Sequence, residues 1–183
     1  MKKILILVLA LFSAQAFAVY VEAGLGVGGA SSTIDKTDVS DLCEGCSSLA
    51  VDVGVRVGGQ IMENLYLAGE FSGMGNRYYN DRDYYFQLNS YILGPSVAYY
   101  PVNQLHLSAS LGLVFTNNDT NVPVIRMYNG TGFGGTLTVA YHIGNDNGTL
   151  LGARFAATSV TLKENKKDLT TVGFMFFVSF VHK

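Results

Sequence analysis

Between Ser48 and Gly58 the chain reads S-L-A-V-D-V-G-V-R-V-G, with Leu49, Val51, Val53, Val55 and Val57 on every second position. Alternate side chains of a β-strand point to opposite faces, so one face here is purely aliphatic. The other face carries Ala50, Asp52, Gly54 and Arg56. A helix would scatter these residues around its circumference, so the pattern predicts a strand.

The pattern recurs along the chain, giving eight stretches. Val19 to Gly29 sets Val21, Ala23, Leu25 and Val27 against Glu22, Gly24, Gly26 and Gly28. Asn64 to Ser72 opposes Leu65, Leu67 and Phe71 to Tyr66, Ala68, Glu70 and Ser72. Tyr84 to Tyr100 is less regular: Tyr91, Leu93, Val97 and Tyr99 share a face, while Phe86 and Leu88 fall on the other. A bulge near Asn89-Ser90, or a strand protruding beyond the membrane, would reconcile its halves. Leu105 to Phe115, Gly130 to Gly144, Thr149 to Leu162 and Leu169 to Val181 complete the set. The last puts Val172, Phe174, Phe176, Val178 and Phe180 on one face.

Connections alternate in length. Ser31 to Ser48, Gly73 to Asp83 and Thr116 to Asn129 read as long polar loops, and Pro101 to Gln104 and Asn145 to Gly148 as tight turns. Short turns at one end and long loops at the other characterise a closed up-and-down barrel in an outer membrane.

The start of the chain is of another kind. Basic Met1-Lys2-Lys3 precedes the apolar run Ile4 to Phe12, and Ala16-Phe17-Ala18 is a small-x-small cleavage site. This predicts a secretory signal peptide over residues 1–18, cut after Ala18, and a mature domain over 19–183. The mature chain is 183 − 18 = 165 residues, enough for one domain. Losing Lys2 and Lys3 leaves 10 basic against 14 acidic residues, a net charge of −4, which is no nucleic-acid footprint.

A soluble barrel also alternates, and lysine placement decides between the two. After the leader, lysines occur at Lys36, Lys163, Lys166, Lys167 and Lys183, all in predicted loops or at the terminus. A water-facing strand surface normally carries Lys and Glu. Here the non-aliphatic face is mostly Gly, Ala, Ser and Thr, suited to a narrow interior. The aliphatic face is then the lipid-facing one, because a closed barrel satisfies its backbone without water.

The chain resembles the small eight-stranded outer-membrane barrels, the OmpX-like group and the transmembrane domain of OmpA-like proteins. The resemblance rests on Val19-Tyr20-Val21-Glu22-Ala23-Gly24-Leu25-Gly26, on Leu93-Gly94-Pro95-Ser96-Val97-Ala98-Tyr99-Tyr100, and on the aromatic final strand. It implies an eight-stranded antiparallel transmembrane β-barrel in the outer membrane of a diderm bacterium. It also implies outer-membrane lipid as surroundings, and the barrel-assembly machinery with periplasmic chaperones as partners in biogenesis. Gly173, Phe176, Val178 and Phe180 look like the terminal signal that this machinery reads, with Val181-His182-Lys183 running past it.

Candidate chemistry is sparse. Glu22, Asp52, Arg56, Glu70 and Arg154 all fall on the inward face, and charges confined in a narrow lumen should pair. The expectation is an ion-pair plug, with an ion pathway as the functional alternative. A hydrolase built on Glu22, Asp52 and Glu70 lacks a cleft, and His106, His142 and His182 lack metal-ligand spacing. No cofactor or metal is expected. Cys43-Glu44-Gly45-Cys46 in an oxidising compartment suggests a small disulfide loop, with redox or metal use lacking its context.

Outside the membrane, Arg77, Tyr78, Tyr79, Arg82 and Tyr84 form the candidate recognition loop, since Tyr and Arg are frequent binding anchors. The alternative places these tyrosines in the upper aromatic girdle. Residues 116–129 are a second candidate. The resulting expectation is a non-enzymatic barrel serving envelope integrity and surface interaction, adhesion or defence against host factors, with an extracellular protein or glycan as ligand. Transport of small or apolar solutes, by the lumen or a lateral opening, is the alternative.

Overall fold

The computed structural model describes residues 19–42, 46–80, 84–121, 129–164 and 166–183. The predicted leader, Cys43, Arg82 and most of 116–129 beyond Asn121 therefore lie outside the described residues.

The wall consists of eight antiparallel strands: β1 (Val19–Ile34), β3 (Ser47–Met62), β4 (Leu65–Tyr79), β5 (Tyr85–Val102), β6 (Leu105–Thr120), β7 (Asn129–Gly144), β8 (Asn147–Leu162) and β9 (Asp168–His182). A two-residue strand β2 (Thr37–Asp38) folds back on the tip of β1 through Asp35 and Lys36, both at positive φ. Each wall strand pairs with its sequence neighbour, and β9 pairs with β1 from Val21↔His182 to Ile34↔Leu169. The sheet is closed, so no strand edge faces lipid.

Register fixes the shape. Partners lead from Ala23 to Val55, Phe71, Leu93, Leu113, Phe133, Ser159 and Thr170, and return to β1 at Thr33. The return from position 23 to position 33 is an offset of 10 residues, which requires strands tilted by about 40°.

Two-residue turns join the strands at the end where β1 starts. Positions 63–64, 103–104 and 145–146 are these turns, with Asn64 at φ 59 and Gly144 at φ 124. Both values lie in the left-handed region that Gly and Asn enter at least cost.

Side chains sort by parity. Leu25, Val53, Leu111, Phe133, Phe176 and Phe180 are exposed on the outer face. Buried inside are small, hydroxyl-bearing and charged residues, with four apolar clusters. Tyr20, Tyr66, Tyr100, Leu150, Phe177 and Val181 close the lumen at the short-turn end. Val39, Tyr78, Leu88, Leu162 and Leu169 close it at the other, with Ile34 and Phe86 packed against them.

One alternative is decided here and two expectations are corrected. Of the two ways to reconcile the halves of Tyr84 to Tyr100, the protruding strand holds and the bulge at Asn89-Ser90 does not: β4 and β5 pair without interruption from Leu65↔Tyr99 to Tyr79↔Tyr85. Phe86 and Leu88 point inward because the wall rises past the lipid, where the inside carries an apolar seal and the outside meets water. For the same reason the expected loops at 73–83 and 116–129 are partly strand, β4 reaching Tyr79 and β6 reaching Thr120. Tyr78, assigned to the recognition loop, is 3% exposed inside the barrel and accepts a hydrogen bond from Asn76 Nδ2 at 2.8 Å. Strand parity places it there.

Candidate functional site

The five inward charges form one connected network. Glu22 and Arg56 are Cα partners on β1 and β3, and Arg56 and Glu70 are partners on β3 and β4. Arg56 Nη1 donates to Glu22 Oε2 at 2.8 Å, and Nε donates to Glu70 Oε2 at 2.6 Å. Thr136 Oγ1 donates to Glu70 Oε1 at 3.1 Å, and Arg56 Nη2 lies 3.4 Å from Thr138 Oγ1. The guanidinium is thus held by a carboxylate on each flank, a charge-assisted arrangement stronger than neutral hydrogen bonds.

Arg154 enters from the far side of the seam. Its Cζ sits 4.9 Å from the centre of the Phe177 ring, and its Nη1 reaches Asp52 Oδ2 at 2.5 Å. Nη2 lies 3.7 Å from Glu22 Oε1, which ties this pair to the first. The span is possible because Gly54 has no side chain: a Cβ there would stand 2.7 Å from Arg154 Nη1. Glu22, Arg56, Glu70 and Arg154 are each 2% exposed and Asp52 5%, so the charges are desolvated and bind each other instead of water.

Below this network lies a ring that charge pattern alone did not single out. Tyr20 Oη donates to Glu22 Oε2 at 2.7 Å and lies 3.4 Å from His106 Nε2. Tyr20 and Tyr66 pack with ring centres 4.9 Å apart and planes tilted by 32°, Tyr66 and Tyr100 meet edge-on at 5.7 Å, and Lys183 Nζ sits 3.9 Å over the Tyr100 ring. His142 hydrogen-bonds through Nδ1 to Asn103 O at 3.0 Å. The signal was available: Tyr20, Tyr66, Tyr100, His106 and His142 share the parity of the small residues and border the short turns.

At the other end Asp38 accepts from the Ser40 backbone N–H at 2.9 Å, the Ser40 hydroxyl at 2.8 Å and the Ser31 hydroxyl at 2.9 Å. These bonds hold its carboxyl below the usual carboxylate range, the Ser40 backbone N–H contributing most. The adjacent Val39 donates its N–H to Ser32 O at 2.8 Å and is buried in the upper apolar cluster.

Of the proposed recognition residues, Arg77, Tyr79 and Tyr84 are exposed, and Arg77 Cζ lies 4.2 Å from the centre of the Tyr85 ring. Cys46 is disulfide-bonded, while Cys43 lies outside the described residues. On the final strand Phe176, Val178 and Phe180 face outward and Gly173 inward. Among the described residues no cluster of His, Cys, Asp and Glu has the makings of a metal site.

The profile of the outer membrane protein beta-barrel domain matches residues 4–180. The chain belongs to that family. The barrel therefore sits in an outer membrane, its exposed aliphatic belt against lipid. Among solved structures it is similar to the attachment invasion locus protein Ail of Yersinia pestis, in complex with the heparin analogue sucrose octasulfate. That similarity has TM-score 0.60 and 8% identity, covering 89% of this chain and 98% of Ail. Neisserial surface protein A is similar with TM-score 0.55 and 14% identity, covering 88% of this chain and 96% of that one. At these identities the likeness is one of fold. No curated protein matches the sequence.

Proposed function

We propose that this protein is a non-enzymatic barrel that strengthens the envelope and acts through its extracellular rim. The filled lumen carries the reading. A cross-linked charge network lies between an aromatic layer and an apolar cap, which suits a rigid support better than a conduit. The inward carboxylates are engaged by arginines and offer no cleft for a substrate, so catalysis has no site there. Exposed Arg77, Tyr79 and Tyr84 remain outside as part of the working surface.

A glycan is the favoured class of surface ligand. Lys36, Lys163, Lys166 and Lys167 gather on adjoining connections, because β1 pairs with β9, and Lys167 Nζ already bridges to Asp35 at 3.3 Å. The complex of the fold-related Ail with a sulfated sugar supports this choice. Planar-bilayer recording combined with binding to immobilised heparin tests the proposal. Silence in the bilayer with binding lost on replacing the four lysines by Gln is expected; discrete channel openings or charge-independent binding would refute it.

Transport through a lateral opening is the second reading, favoured by one observation. The β5–β6 ladder passes from Leu93↔Leu113 to Ser96↔Ser110, skipping Gly94 and Pro95, and Pro95 has no N–H to give. Pro95, Gly69 and Gly59 also line a groove of about 590 Å³ on the lipid-facing wall. Uptake of an apolar solute that falls with Pro95→Ala would select this reading.

A further inference from the structure

We propose that the outward wall of β4–β6, just above the lipid belt, binds the saccharide headgroup of the glycolipid in the surrounding leaflet. The inference does not depend on the rim ligand proposed above. It starts from glycines on the outer face of β4. Tyr91 of β5 leans over Gly73, its Cδ1 3.1 Å from where a Cβ would stand, and stacks with Phe71 at 6.2 Å. One step higher Asn89 and Gln87 lean over Gly75, with Asn89 Oδ1 at 3.2 Å and Gln87 Nε2 at 3.4 Å from its absent Cβ. Highest, Arg77 packs on the Tyr85 ring. Residues 85–91 therefore lay a continuous stripe across β4, about 20 Å long at strand rise.

The stripe is ordered in advance. Gln87 Nε2 donates to Asn89 Oδ1 at 2.7 Å, and Asn89 Nδ2 donates to Asn117 Oδ1 at 3.1 Å. Tyr85 Oη donates to Asp119 Oδ2 at 3.2 Å. A chain of amides fixed in one direction presents a Gln87 acceptor at one end and Asn117 donors at the other, a pattern matched by sugar hydroxyls that both donate and accept. Pre-ordered side chains lose little entropy on binding.

Continuity with the lipid interface selects the occupant. Directly below the amides, exposed Leu93, Leu113 and Phe115 belong to the apolar belt. A ligand reading both zones has acyl chains beneath a saccharide, and the wall faces sideways into the headgroup layer. The opposite wall at this height offers Ser159 and Thr170, a β8–β9 pair without amide or aromatic side chains.

The test places the full-length barrel in phosphatidylcholine vesicles doped with lipopolysaccharide carrying its core oligosaccharide, or with lipid A alone. Glycolipid retained after detergent extraction is counted by native mass spectrometry. The parent should keep the core-bearing form about fivefold better, the scale of one or two net hydrogen bonds. Gln87→Ala, Asn89→Ala and Asn117→Ala together should abolish this preference, and Ser159→Ala with Thr170→Ala should leave it intact. Equal retention of both glycolipids by the parent, or a preference that survives the triple change, overturns the proposal. If the triple variant fails to give a heat-modifiable folded band, Asn117→Ala at the exposed edge decides: the preference should fall by at least about half, and an unchanged preference overturns the proposal.

Discussion

Arg154 of β8 and Asp52 of β3, 102 residues apart in sequence, meet across the lumen at 2.5 Å. The contact crosses the β9–β1 seam where the barrel closes, and so links the first and last parts of the wall from inside. Arg56 pairs with carboxylates of the adjoining strands, Glu22 and Glu70, and adds a 3.4 Å contact to Thr138 Oγ1 across the lumen. Of the two arginines, Arg154 is the one whose ion pair with Asp52 spans from β8 to β3 as a brace.

Truncating that brace leaves Asp52 buried without its base. Arg154→Ala should lower stability by about 3–5 kcal/mol, read from urea unfolding in lipid vesicles. Asp52→Leu combined with Arg154→Met should recover part of the loss, because a matched apolar pair is tolerated where a lone charge is not. Unchanged unfolding of Arg154→Ala would mean that the network contributes nothing to the fold.

Gly54 makes a sharper case. By facing alone, a small lumenal change such as Gly54→Ser reads as mild beside Val53→Arg, which puts a charge in lipid at about 2–4 kcal/mol. The structure revises that expectation, since a Cβ at 54 stands 2.7 Å from Arg154 Nη1. Gly54→Ala should cost about 1–3 kcal/mol with Arg154 present, and far less in the Arg154→Ala background. Additive costs would show that the two residues do not compete for the same space.

Acid should loosen the upper cap. The Asp38 carboxyl is held below its usual range by the Ser40 N–H and the Ser40 and Ser31 hydroxyls. A lowered folded value contributes stability that is full above the unfolded value of about 3.9 and disappears as pH falls through the folded one. Hydrogen exchange at the Val39 amide should therefore accelerate, relative to intrinsic exchange, as pH drops below about 4. Asp38→Ala should show the faster exchange already at neutral pH. Protection in Asp38→Ala equal to the parent would separate Asp38 from the cap.

The disulfide at Cys46 calls for a partner, and Cys43 is the other cysteine of the chain. Protein matured through an oxidising compartment should weigh two hydrogens less than its reduced form and resist thiol labelling until reduced. Cys43→Ser should still give a folded barrel, because Cys46 precedes β3 and takes no part in the hydrogen-bonded wall.

Much of this was legible before any coordinates. Val51, Val53 and Val55 outward with Asp52, Gly54 and Arg56 inward follows from a period of two, which every strand obeys whatever its neighbours. The same parity put Glu22, Glu70 and Arg154 inside, and the absence of strand lysines chose lipid as the outer solvent. Parity also carried the buried placement of Tyr78, but the residue looked like a loop because polar sequence above the membrane resembles a loop even when it is strand. Phe86 and Leu88 left two readings open for the matching reason: beyond the lipid the apolar side turns inward, so by pattern alone a protruding unbroken strand and a bulged one look the same.

Which inward groups touch was a different matter. That Arg154 finds Asp52 and Glu22 depends on the ten-residue offset at closure, on the tilt it imposes, and on the room left by Gly54. None of these is local. Alternation along one strand is set by backbone geometry and survives in isolation, so the sequence by itself determined the wall, its two faces and its surroundings. Contacts across the lumen are set by the stagger of eight strands at once, and only the closed tertiary structure decided them.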